Sequence, residues 1–180
     1  MKRFENLMVD LETMGTKSFS AITSIGALEF DMATGETGRE FLVNVDLKSS
    51  VDHGLKIDPA TVIWWLGQDK KAQNDMLKKD NQLSLPQALI NFTDFINTNS
   101  YKVWGNSASF DLGILGNAYD AVGISRPWHF RNEMCVRTLC NFYPEIKKNE
   151  PFRGTAHNAL QDCYHQVSYC YKTWVKLRGA

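Results

Sequence analysis

The sequence carries no excess of one charge sign: its twenty Lys and Arg cancel its twenty Asp and Glu. A strongly basic chain would neutralise phosphates along a strand and bind nucleic acid whatever its sequence. The missing signal argues against a protein that coats DNA processively. It does not exclude a nucleic-acid substrate, because a small site can use metal ions as its local positive charge. The four cysteines, Cys135, Cys140, Cys163 and Cys170, form no C-x-x-C pair. Zinc would want closer pairs, so the simplest reading is structural thiols in a reducing cytoplasm. There is no long hydrophobic run. The apolar stretch in MKRFENLMVDLE is short and interrupted by acids, unlike a secretory or membrane-spanning segment, and no membrane partner is expected. No repeat, low-complexity tract or Pro/Gly/Ser linker divides the 180 residues, so a single domain over 1–180 is expected. At 43% hydrophobic and 22% charged, the chain can bury a core without staples.

What is present reads as strands followed by strands and helices in alternation. Residues from about 5 to 12 form a first strand and Ile22 to Phe30 a second. DMATGETG at 31–38 has the Gly and Asp content of a turn. Phe41, Val43 and Val45 alternate with Leu42, Asn44 and Asp46 as a third strand. Asp58-Pro59 is a helix start, with a capping acid and Pro at the first helical position. Another helix starts at 84–86 and carries Leu89, Phe92, Phe95 and Ile96. YKVWG at 101–105 is a short strand, followed by a loop and helix, and 134–139 holds a fifth strand leading into a short helix. In the last helix, Asn158 and Gln161 have the spacing of a capping box. Leu160, Cys163, Val167, Cys170 and Trp174 mark its apolar face. The order suggests an α/β domain with a mixed sheet flanked by helices.

Four acids and a histidine stand at chemically suggestive places. Asp10 and Glu12 lie two apart at the end of the first strand, so their side chains point the same way. Two such carboxylates repel, and a hard divalent cation relieves that conflict. The same spacing also occurs at solvated strand ends. Asp111 should fall in the first turn of the helix after the 101–105 strand, where it also suits the helix dipole. His157 precedes the last helix and Asp162 lies off its apolar stripe. An imidazole titrates near neutral pH and can take a proton from water, although a capping surface histidine would look the same.

Together the motifs are sharper than their parts. D-x-E at 10–12, N-x-x-x-F-D at 106–111 and H-N-A-L-x-D at 157–162, in this order, resemble those of the DEDDh class of 3′-to-5′ exonucleases. SIGALEF resembles that class's second strand, and DPATVIWWLGQ at 58–68 is similar to small phage and bacterial exoribonuclease-type members. The resemblance implies a ribonuclease H-like fold with a central five-stranded mixed sheet. It implies that Asp10, Glu12, Asp111 and Asp162 hold two Mg²⁺ or Mn²⁺ ions and that His157 is the general base. The implied substrate is the 3′ end of single-stranded nucleic acid, with RNA favoured over DNA and nucleoside 5′-monophosphates released. Members of the class often dimerise, so a homodimer is an expectation that no sequence feature locates. The competing readings are a DNA-preferring exonuclease of the class, an endonuclease on a related fold, or a non-catalytic nucleic-acid-binding module.

Substrate contacts are less sharply written. Many relatives read Thr-Gly where this chain has DLETMG, which places Met14 and Gly15 near the expected substrate; Met14 suits either an apolar wedge against a base or the core. Trp64 and Trp65 point about 100° apart on a helix. One is expected to stack on a base while the other is buried, with two core tryptophans as the alternative. Gln68, Asn106 and Phe110 are further candidates, each with a bland structural explanation. His165 and the Lys147-Lys148 pair read as solvent-facing.

Overall fold

Side-chain alternation in the first strand decides the layout. The computed structural model describes residues 3–77, 81–96 and 100–179. In β1 (Asn6–Thr13), Leu7, Val9 and Leu11 enter one apolar core and Met8 enters another. Asp10 and Glu12 therefore share the Met8 face. β2 (Ile22–Phe30) pairs antiparallel with β1, and β3 (Thr37–Asn44) pairs antiparallel with β2. β4 (Lys102–Gly105) and β5 (Glu133–Cys135) add parallel strands on the other side of β1. The order is β3-β2-β1-β4-β5, so β2 alone runs against the rest. This agrees with the mixed sheet expected from the sequence.

Helices cover both faces. α1 (Leu47–Asp52), α2 (Pro59–Leu66), α3 (Lys70–Leu77), α4 (Leu85–Ile96) and α5 (Gly113–Val122) follow in chain order. Leu85, Leu89 and Phe92 of α4 and Ile114 and Leu115 of α5 pack in the core with Leu7 and Val9. α6 (Val136–Cys140), α7 (Pro144–Asn149) and α8 (Ala159–Leu177) complete the chain. Val136, Cys163, Val167 and Cys170 pack with Met8 on the opposite face. β2 is buried along its whole length, as a strand covered on both faces must be. All four cysteines are free thiols. Among the described residues, no helix is long and apolar enough to cross a membrane.

Three local features differ from the sequence reading. β3 starts at Thr37, inside the stretch assigned to a turn, because Thr37, Gly38 and Arg39 lie on a polar edge strand with little apolar alternation to betray it. The ladder shifts register between Leu28 and Phe30, and there the Glu29 carboxylate accepts the backbone N–H of Arg39 at 2.8 Å. The short helices α1, α3 and α7 span only six to eight residues each and show no clear apolar period in the sequence. At α8, the Asn158 side chain accepts from Gln161 N at 3.2 Å as expected. The reciprocal bond comes from Asp162, whose Oδ2 accepts from Asn158 N at 3.1 Å, rather than from the Gln161 side chain.

Candidate active site

β4 ends where Gly105 pairs with Val9, so β1 runs on past its parallel neighbour. Asp10 and Glu12 lie on that overhang. Both precede the register shift between Glu12 and Thr13, so regular alternation holds them on one face. α8 packs on that face and delivers Asp162 in its first turn. One carboxylate oxygen from each of Asp10, Glu12 and Asp162 lies within 4.8 Å of the others.

Asp111 completes the acidic neighbourhood in a different way. It is 2% exposed and sits on a π-wound turn, Ala108–Leu112, that feeds α5. Single π turns recur at functional sites. Its Oδ2 accepts the backbone N–H of Ser107 at 3.3 Å, and it stands beside the three clustered acids rather than among them.

The electrostatics follow from this crowding. Burial, and then the charges of Asp111, Glu12 and Asp162, push the Asp10 carboxyl well above its ordinary value. Burial, Asp162 and Asp111 push Glu12 up to about 8. Burial raises Asp111 to about 6 against the pull of backbone N–H groups including those of Ser107 and Leu11. Burial also raises Asp162, opposed by the nearby His157. Among the described residues, no lysine or arginine lines the cleft around these acids. A crowd of carboxyl oxygens that resist ionising together, with no cationic side chain among them, fits a hard divalent cation.

The cleft has a volume of about 620 Å³. His157, Trp64, Trp65, Gly15, Asn106 and Phe110 line it with Asp10, Glu12 and Asp162, whereas Asp111 lies behind its wall. His157 has φ +62°, a left-handed conformation uncommon outside glycine. Its ring meets Trp64 edge-on at 4.9 Å and Trp65 at 5.8 Å between centroids. The two tryptophans divide their roles. Trp65 is 2% exposed and donates Nε1–H to the Thr13 carbonyl at 3.1 Å, whereas Trp64 is 47% exposed. A Cβ on Gly15 would lie 2.5 Å from Ser20 Oγ, so that side chain would have to move.

Two sequence candidates stand elsewhere. Met14 is 4% exposed and packs in the main core, and its backbone carbonyl accepts from Asp58 N at 2.7 Å. Gln68 donates its amide to the Trp64 carbonyl at 3.1 Å, finishing α2. Neither lines the cleft. Lys147 and His165 are not simply solvated. Lys147 Nζ reaches Asn106 Oδ1 at 3.4 Å and lies 5.1 Å from the Tyr169 ring centroid. His165 packs between the Phe152 and Tyr169 rings. Sequence reasoning also missed Gln166, which lines the cleft and donates to Asp10 Oδ1 at 2.6 Å. Its place one turn after Asp162 was the available signal.

The sheet and its acidic cleft define a 3′-5′ exonuclease of the DEDD type on a ribonuclease H-like fold. The chain belongs to the 3′-5′ exoribonuclease Rv2179c-like domain family, whose model matches residues 5–174. It is 28% identical to the exodeoxyribonuclease of Enterobacteria phage T4, over 90% of this chain and 86% of that protein. Its fold matches exonuclease X in complex with 5′ overhanging duplex DNA, with a TM-score of 0.61 and 15% identity over 97% of this chain and 93% of the other. It also matches the nuclease domain of 3′hExo, a DEDDh family member bound to rAMP, with a TM-score of 0.64 and 12% identity over 94% and 91% of the two chains.

Proposed function

We propose that this exonuclease removes nucleotides one at a time from the 3′ end of a single strand, RNA before DNA, and releases nucleoside 5′-monophosphates. The observation that carries the reading is the meeting of carboxylates from β1 and α8 in one cleft with His157 and an exposed tryptophan. The preference for RNA rests on the exoribonuclease description of the family. The phage T4 relative is an exodeoxyribonuclease, which makes single-stranded DNA the second reading. The free thiols suit one exonuclease domain over 1–180 working in a reducing cytoplasm.

Asp10, Glu12 and Asp162 would hold the divalent ions, Mg²⁺ or Mn²⁺, with Asp111 beside them. Two such ions, when bound, supply the charge compensation that lets an anionic nucleophile approach an anionic phosphodiester. The remaining work falls to the chain. His157 accepts the proton of the attacking water on an imidazole nitrogen, a contribution of about 10²–10⁴ in rate. Trp64 offers the terminal base a stacking face. Trp65 lies behind it, hydrogen-bonded to β1, and keeps α2 at the cleft. Gly15 lets the strand approach the backbone closely.

The test is a rate comparison on matched 5′-labelled RNA and DNA strands of one sequence, with open and with blocked 3′ ends. Stepwise shortening of open strands, faster on RNA, with blocked strands left intact, supports the proposal. Faster loss of DNA selects the second reading. Internal cleavage of the blocked strands contradicts both.

A further inference from the structure

The buried face of α8 is formed by Ala159, Cys163, Gln166, Val167, Tyr169, Cys170 and Thr173. The polar groups of the last three turns are satisfied within the protein: Thr173 Oγ1 donates to the Tyr169 carbonyl at 2.8 Å, and the Tyr169 hydroxyl reaches Asn106 Oδ1 at 3.4 Å. Gln166 differs. It is 3% exposed, its Nε2 donates to Asp10 Oδ1 at 2.6 Å, and its Oε1 is the one buried side-chain oxygen or nitrogen among the described residues without a hydrogen-bond partner.

A half-satisfied buried amide weakens a fold relative to an apolar side chain of the same length. Methionine would fill this space with no unpartnered oxygen of its own, at the cost of the donor to Asp10 Oδ1. With Asp10 ionised, as a metal ligand must be, the amide cannot turn round, because that would set Oε1 against the carboxylate. Packing therefore does not account for glutamine here. What it uniquely supplies is a donor to Asp10, delivered from the helix that also carries Asp162.

We propose that Gln166 is a positioning residue, which fixes the rotation of the Asp10 carboxylate relative to Glu12 and Asp162 so that the three can take up a divalent ion together. The inference rests on reading this cluster as the metal site. Gln166 reaches neither substrate nor ion in this scheme; it acts through Asp10, as outer partners orient the ligands of metal sites generally. Its orphaned oxygen is the structural cost of that orientation.

The test uses the full chain with Gln166→Met, and Gln166→Leu as a second variant of different shape. Three readouts are compared with wild type: the thermal midpoint in EDTA, Mn²⁺ affinity of the substrate-free protein by calorimetric titration, and kcat with KM on a single strand. The expected result is a midpoint without metal close to that of wild type, since one unpaired oxygen is exchanged for another, together with Mn²⁺ affinity or kcat lowered about 10- to 100-fold and KM within twofold. A residue needed only for packing would give the reverse: a lowered midpoint in both variants, with Mn²⁺ affinity and kcat of the folded protein unchanged. That outcome overturns the proposal. Wild-type protein that takes up no Mn²⁺ would instead overturn the underlying reading of the cluster, a result visible before any variant is made.

Discussion

A Cβ placed on Gly26 would stand 2.4 Å from the carbonyl carbon of Ala159 and 2.6 Å from its oxygen. The first turn of α8 therefore rests directly on the backbone of β2. Gly26 is also the ladder partner of Asp10. The strand residue beside Asp10 must lack a side chain for Asp162 to arrive at the same place.

Gly26→Ala consequently forces the start of α8 away from the sheet. The obstacle is backbone, which cannot swing aside as a flexible side-chain end could. Overpacking of this kind costs about 1–3 kcal/mol, and a displacement of about 1 Å at a reacting centre can cost 10²-fold in rate. Thermal unfolding should show a lowered midpoint, and strand shortening should slow more than the loss of folded protein explains.

The tryptophan pair should separate binding from stability. Trp64 is half-exposed and Trp65 buried. Trp64→Ala is expected to weaken strand binding by about 1–3 kcal/mol, the usual worth of a base on an aromatic face, with little change in thermal midpoint. Trp65→Ala removes a core side chain and should cost about 3–5 kcal/mol of stability. Denaturant unfolding and KM measured on both variants check the division.

Glu29 gives a pH signature remote from the cleft. Burial works against its charge, but hydrogen bonds from Tyr101 and Arg39 outweigh that and hold its carboxyl below the ordinary value of 4.5. A depressed folded value means that the stabilisation is present above pH 4.5 and is lost as the pH falls through the lower, folded-state value. Glu29→Gln should therefore be less stable than wild type at pH 7, and the gap should close in acid. Unfolding midpoints across that range measure it.

Divalent metal should stabilise the fold itself. The clustered acids repel one another without it, and an ion that binds the folded state alone adds about 2.7 kcal/mol at a hundred times its Kd. Mn²⁺ is expected to raise the thermal midpoint of wild type and to raise that of Glu12→Gln less. Equal shifts in the two proteins would place the ion elsewhere.

The sequence made the acids and the sheet legible because each follows from a short-range rule. Alternation in β1 puts Asp10 and Glu12 on one face, and a cap at Asn158 fixes where Asp162 starts on α8. Contacts set by tertiary packing were not legible. Nothing local says which of Trp64 and Trp65 faces the sheet, nor that Met14 turns into the core while Gly15 meets the cleft. A glutamine on a helix reads as solvated until β1 is seen beneath it, so Gln166 passed unnoticed. The polar start of β3 was hidden for a related reason: an edge strand held partly by Glu29 and Arg39 needs no apolar alternation.

The most direct test of the carboxylate cleft is a time course on a 5′-labelled single strand, comparing wild type with Asp162→Asn in Mg²⁺, in Mn²⁺ and in EDTA. The account predicts a ladder receding from the 3′ end with wild type in either metal, none in EDTA, and almost none with Asp162→Asn. Undiminished shortening by the variant, or by wild type stripped of metal, would contradict it.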